Sequence, residues 1–137
     1  MSFETSAVTR ATPEAVFDVW IDVDGWAELD EIERASIDRE FGPGAVIKTK
    51  GKGLPTATLV VTVVDRPNLW IDESRLPGVR MTLEHVVRPA DSGTKITERV
   101  TIAGALARLV APMVRRRLLA LMTASTEHIA ARATRSA

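Results

Sequence analysis

The chain has no cysteine, so disulfides and thiolate metal sites are excluded. It has no net charge either. Eighteen Lys and Arg side chains balance eighteen Asp and Glu, and nothing in that total points to nucleic acid. Its two histidines, His85 and His128, stand too far apart for a zinc motif. No run approaches the roughly 18 apolar residues of a membrane span. The opening Met1-Ser2-Phe3-Glu4-Thr5-Ser6 is neither basic nor apolar, so no signal peptide is visible. Glycine loops of the phosphate-binding or dinucleotide type are missing, as are repeats and low-complexity linkers. Ser74 and Ser125 lack a recognisable nucleophile context. The acids Asp22, Asp24, Glu28, Asp30, Glu31 and Glu33 lack the calcium-loop pattern and read as solvated. These absences lead us to expect a cytoplasmic protein with no cofactor and no metal. We expect no nucleic-acid partner, no stable membrane insertion, and a monomer or homodimer.

What is present is enough for one domain spanning 1–137, with 45% hydrophobic residues to build a core. Ser2–Arg10 reads as a strand. Thr12-Pro13-Glu14 is a helix start: a capping hydroxyl, a proline at the first helical position, and an acid at the positive helix end. Val16, Phe17, Val19, Trp20 and Val23 form its apolar side, and Asp24-Gly25 should stop it. The acidic stretch Ala27–Glu33 suits a single helical turn. From Ala35 the period changes to two. Strands are expected over Ala35–Phe41, Ala45–Lys52, Ala57–Asp65, Leu69–Leu76, Val79–Arg88 and Lys95–Gly104, separated by Gly- and Pro-bearing turns.

The last third, Ala105 to about Ala133, is rich in Ala, Leu, Met and Arg. Val110, Val114, Leu118, Leu121, Ser125 and Ile129 fall in one helical stripe. Pro112 either opens this helix or kinks a longer one. Arg115 and Arg116 read as solvated, whereas Arg117 lies at the stripe's edge and could reach a ligand acid group. The Ala/Arg/Ser tail from Arg132 is expected to fray.

Several stretches together resemble the SRPBCC superfamily, the START-like or helix-grip group that includes birch-pollen-allergen-like and polyketide cyclase/dehydrase proteins. The carriers are Ala11-Thr12-Pro13-Glu14-Ala15-Val16-Phe17, Trp20 to Trp26, and Gly42-Pro43-Gly44. With them go Val63-Val64-Asp65-Arg66-Pro67-Asn68-Leu69-Trp70, His85-Val86-Val87-Arg88-Pro89 leading to Gly93-Thr94-Lys95-Ile96-Thr97, and the C-terminal helix. The resemblance implies an α+β fold: a seven-stranded antiparallel sheet curved around the C-terminal helix, one or two short helices after the first strand, and a cavity between sheet and helix. It does not select one chemistry.

Strand alternation predicts which side chains face that cavity. If the Pro89–Thr94 turn pairs Arg88 with Lys95, His85 faces Glu98, Leu83 faces Val100, and Met81 faces Ile102. Glu84 then meets Arg99 on the opposite, solvent face. Extending outward, Trp70 lies beside His85 and Asp72 beside Leu83. If Val64 pairs with Leu69, one inner row reads Val63, Trp70, His85, Glu98, and the next reads Val61, Asp72, Leu83, Val100. A bulge would shift part of this.

Three functions follow. In the first, a small hydrophobic or aromatic molecule binds between sheet and helix, walled by Trp70, Met81, Leu83, Val100, Leu118, Leu121 and Met122 and anchored by His85 and Glu98. In the second, a polyketide cyclase/dehydrase-type enzyme uses the same pocket, with His85 and Glu98 or Asp72 moving protons. The third is a protein–protein interaction module of the same fold, with a filled interior. The plainer reading of His85 is a satisfied core histidine bonded to Glu98. Trp70 and Trp26 read as core before ligand platform, and Met81, Met113 and Met122 as either core or pliable lining.

Overall fold

The computed structural model describes residues 1–136. Strand β1 (Ser2–Thr9) leads to helix α1 (Pro13–Trp20), a 3-10 segment (Val23–Glu28), then β2 (Ile32–Ile37) and β3 (Val46–Gly51). Strands β4 (Thr56–Asp65), β5 (Leu69–Leu76), β6 (Val79–Ala90) and β7 (Gly93–Ala103) precede the long helix α2 (Ala107–Ser136). All seven strands form one antiparallel sheet in the order β1-β7-β6-β5-β4-β3-β2, curled around α2.

The start of α1 is built as its sequence demands. The Thr12 hydroxyl accepts from the Ala15 amide at 3.2 Å, and Pro13 occupies the first turn, where its missing N–H costs nothing. The helix ends at Trp20, earlier than Asp24-Gly25. The Trp26 indole Nε1 donates to the Trp20 carbonyl at 3.0 Å, occupying one of the acceptors a helix end leaves free. The acidic stretch is not a helical turn throughout. The 3-10 segment stops at Glu28, and β2 begins at Ile32 and ends at Ile37, before Phe41. There the Asp38 carboxylate accepts from the Val46 amide at 2.8 Å and turns the chain toward β3.

The β6–β7 register is the expected one, with Arg88 opposite Lys95, His85 opposite Glu98 and Leu83 opposite Val100. The turn is tighter than expected: pairing continues to Ala90 opposite Gly93, leaving only Asp91-Ser92 outside it. Gly93 has φ 149° and lies against the Thr9 carbonyl, where a side chain would collide with β1. On the solvent face Arg99 bonds Glu4 at 2.9 Å and lies 3.9 Å from Glu84.

The β4–β5 hairpin departs from the simple count. Asp65, not Val64, pairs with Leu69, so Val64 rather than Val63 lies beside Trp70. A bulge between Val61 and Val63 then restores the original phase, and Val61 stands opposite Asp72 as expected. Val63 is turned out, 40% exposed.

Helix α2 is the longer alternative, with Pro112 inside it. Its buried side chains are Ala111, Leu118, Met122, Thr126, Ile129, Ala130 and Ala133, while Val110, Val114, Leu121 and Ser125 are half-buried. Met113 is 78% exposed and lines nothing. The tail does not fray at Arg132. That guanidinium donates to the Asp22 carboxylate at 2.6 Å and approaches Glu28 at 3.8 Å, and Ala133 is fully buried. Thr9 bonds the Ala130 carbonyl at 3.1 Å, fixing the helix end to β1.

Two apolar clusters result. One gathers Phe17, Trp20, Trp70 and Ile96 beneath α1, and the other gathers Val100, Ile102, Leu118 and Met122 beneath the first half of α2. The polar inner residues lie between them.

Candidate functional site

Alternation along three neighbouring strands brings Asp72 (β5), His85 (β6) and Glu98 (β7) to the concave face, where each is at most 6% exposed. They border a space of about 80 Å³ whose other walls include Trp20, Trp26, Leu83, Leu118, Leu121, Met122, Ser125 and His128. A second space of about 130 Å³ adjoins it, lined by Leu54, Leu76, Met81, Val110 and Val114 among others. Thr49, Leu59, Leu83, Leu118 and Leu121 border both, so they form a septum between a polar inner chamber and an apolar outer one.

His85 is held rigidly. Its ring stacks on Trp70 at 3.5 Å between centroids and 2° between planes, and the edge of Trp20 closes a T-shaped contact at 5.1 Å. Its Nδ1 lies 3.2 Å from the Trp70 carbonyl oxygen. A carbonyl only accepts, so Nδ1 carries the hydrogen and Nε2 presents a lone pair. That Nε2 faces Asp72 Oδ2 at 4.0 Å, too far for a hydrogen bond. The expected direct bond between His85 and Glu98 does not form. The neighbour that favours charge on the Glu98 carboxyl is Ser125 of α2 instead.

Much of the polar surface here has no partner in the protein. Both Asp72 oxygens, Glu98 Oε2 and His128 Nε2 are buried without a hydrogen bond. Burial sets their electrostatics. Asp72 is pushed well above the usual carboxylate range by desolvation and by the neighbouring Glu98. Desolvation raises Glu98 to about 8, against an opposing pull from Ser125. Desolvation lowers His85 to about 3, against the Trp70 carbonyl. Near neutral pH the chamber therefore holds a protonated Glu98 and a neutral imidazole, and burial works against charge on Asp72.

Of the residues expected to line the cavity, Leu83, His85, Glu98, Leu118, Leu121 and Met122 border the inner chamber, together with Asp72, and Met81 borders the outer one. Trp70 and Val100 border neither. Trp70 is wholly buried behind the His85 ring, and Val100 belongs to the second apolar cluster. Arg117 does not reach the cavity; it donates to the Gly53 carbonyl at 2.6 Å. The expected lining did not include Trp20, Leu29, Ile32, Thr49, Leu59 or His128, all of which border the inner chamber, His128 from α2; Trp26, read as core before ligand platform, borders it as well. His128 is three residues past Ser125, one turn along the same face, and that spacing was the available signal.

The curled sheet gripping a C-terminal helix defines the helix-grip class shared by birch-pollen-allergen-like proteins and polyketide cyclases. Within it, residues 1–134 match the family described as polyketide cyclase / dehydrase and lipid transport, and the chain belongs to that family. The chain is similar in structure to the di-domain ARO/CYC StfQ from the steffimycin biosynthetic pathway. There the TM-score is 0.80 at 16% identity, covering 98% of this chain and 51% of that one. It is similar to Ara h 8.0201, with a TM-score of 0.68 at 19% identity over 94% of this chain and 97% of the other. It also resembles norcoclaurine synthase from Thalictrum flavum, solved with dopamine and hydroxybenzaldehyde, with a TM-score of 0.71 at 14% identity over 94% and 86% of the two chains. No curated protein sequence matches the chain. Identities this low speak for the fold.

Proposed function

We propose that the chain works as one domain that binds a small hydrophobic or aromatic molecule between the sheet and α2. The observation that carries this reading is the pair of adjoining chambers, apolar but for converging polar groups that have no partner in the protein. Size limits the ligand. An apolar cavity of about 150 Å³ holds one benzene ring. Chambers of about 80 and 130 Å³ thus suit a single ring with a short polar arm, unless the septum moves. An open interior also favours ligand binding over a purely partner-binding role, for which the inside would be filled.

A second reading is enzymatic, of the cyclase/dehydrase type. It is favoured by the placement of the protonated Glu98 carboxyl and an unprotonated His85 Nε2 around one small space. An acid and a base so placed could relay a proton to and from a bound ketone.

Exposing the protein to a metabolite extract, followed by native mass spectrometry, tests the binding reading. A compound of about one ring should stay bound to the wild type and be lost from Leu121→Trp, which fills the septum. A wild type that retains nothing from any extract would overturn it.

A further inference from the structure

We propose that the inner chamber is an ammonium site, so that the cavity takes a small aromatic amine with its nitrogen among Asp72, Glu98 and His85 and its ring displacing the Leu118–Leu121 side of the septum toward the outer chamber. This rests on reading the cavity as a ligand site and specifies the ligand's chemistry.

Three of the unpartnered atoms that line the inner chamber are carboxyl oxygens, both of Asp72 and Oε2 of Glu98. His85, with its hydrogen on Nδ1, adds the lone pair on Nε2. An ammonium group carries three donors and no acceptor, the complement of such a set. No Lys or Arg is among the described residues lining either chamber, so none of these supplies a competing cation. The indole rings of Trp20 and Trp26 border the same space, and aromatic faces attract cations. A carboxylate or phosphate ligand would instead meet two acids and no counter-charge.

The proton balance is explicit. At neutral pH the ammonium displaces the Glu98 proton, which leaves to solvent, and the nitrogen pairs with the resulting carboxylate. The titratable groups facing that carboxylate are Asp72 from β5, His85 from β6 and His128 from α2, and β2, β3, β4 and the 3-10 segment present none. With Glu98 near 8, amine affinity should strengthen toward tenfold per pH unit between pH 6 and 8. A neutral ligand should gain nothing over that range.

The test is calorimetric titration with 2-phenylethylamine, 2-phenylethanol and 3-phenylpropanoate, run in two buffers of different ionisation enthalpy to count protons. The amine should bind at least tenfold tighter than the alcohol at pH 8 and release close to one proton at pH 6.5. Glu98→Gln and Asp72→Asn, each verified as folded by its unfolding transition, should shrink the amine-over-alcohol ratio. The proposal fails if the alcohol or the acid binds as tightly as the amine, if amine binding releases no proton, if both variants keep the full ratio, or if no probe binds. A compound retained from extract that is not an amine would leave the cavity reading standing and remove the ammonium site alone.

Discussion

Replacing Glu98 with glutamine should stabilise the protein, increasingly so as pH rises. Glu98 titrates near 8 in the fold, against 4.5 for an ordinary glutamate, because burial disfavours its charge. A group whose folded pKa is raised contributes stability that is complete below the unfolded pKa and is lost as pH climbs through the folded one. The loss runs from pH 4.5 to about 8. At about 1.4 kcal/mol per pH unit, it amounts to about 5 kcal/mol. That is a large share of the roughly 5–15 kcal/mol that holds a typical domain together. Glutamine keeps the shape and can still face Ser125, but it cannot ionise. The two proteins should therefore be nearly equal at pH 4.5 and diverge by several kcal/mol at pH 9. Urea unfolding at half-unit pH steps, followed by tryptophan fluorescence, measures the difference directly, provided the slope with urea stays constant. A difference between the two proteins that stays within about 1 kcal/mol from pH 4.5 to 9 would refute the claim that burial holds Glu98 protonated.

Three further outcomes are expected. His85 is lowered to about 3, so its contribution is complete above pH 6.5 and is lost on acidification; His85→Phe, which can keep the stack on Trp70, should move the acid-unfolding midpoint to lower pH, and an unmoved midpoint would mean the imidazole is not held neutral. Leu118→Ala removes part of the septum, so it should cost about 2–5 kcal/mol in urea unfolding and admit 2-naphthol more tightly than the wild type does; tighter binding by the wild type would show that the chambers do not merge. Arg132→Ala should cost up to about 1 kcal/mol and speed amide exchange in the last turns of α2, whereas unchanged exchange would mean the Asp22 pair does not hold the helix end.

The inner face of β6 and β7 was legible because alternation allows two registers, and one of them buries Glu84 and Arg80 among apolar side chains. The same count failed one hairpin outward, where Asp65 rather than Val64 pairs with Leu69, a shift no side-chain pattern announces because Val63 and Val64 are interchangeable in polarity. Val61 kept its place opposite Asp72 only because a bulge between Val61 and Val63 restored the phase, while Asp72 itself is placed by its pairing with Leu83. The stripe on α2 was broadly visible, but a helix lying in a curved sheet meets different strands along its length. Hence Ala111, Met122 and Ala130 are buried while Val110 and Val114 face the outer chamber. The partition into two chambers was not visible at all, because it depends on how far Leu118 and Leu121 reach toward Leu59 and Leu83. Likewise His85 could be placed beside both Asp72 and Glu98, but its ring orientation follows from the stack on Trp70 and the carbonyl behind it.

The edge position of β1 has a consequence for how the chain assembles as it leaves the ribosome. Strands β2 to β7 can zip together in the order of synthesis, each beside its predecessor. β1 must wait, because its partner begins at Gly93 and its register sets Ser2 against Thr101. Such distant pairing makes folding slow relative to local pairing. The roof over the inner face, α2, is made after every strand of the sheet. Until it docks, Glu98 stands in water and is ionised at neutral pH, and docking must return a proton to it. Closure of the nascent domain is therefore a proton-consuming step. An alkaline medium should slow it and prolong the time during which the apolar rows of the unfinished sheet are open to neighbouring chains.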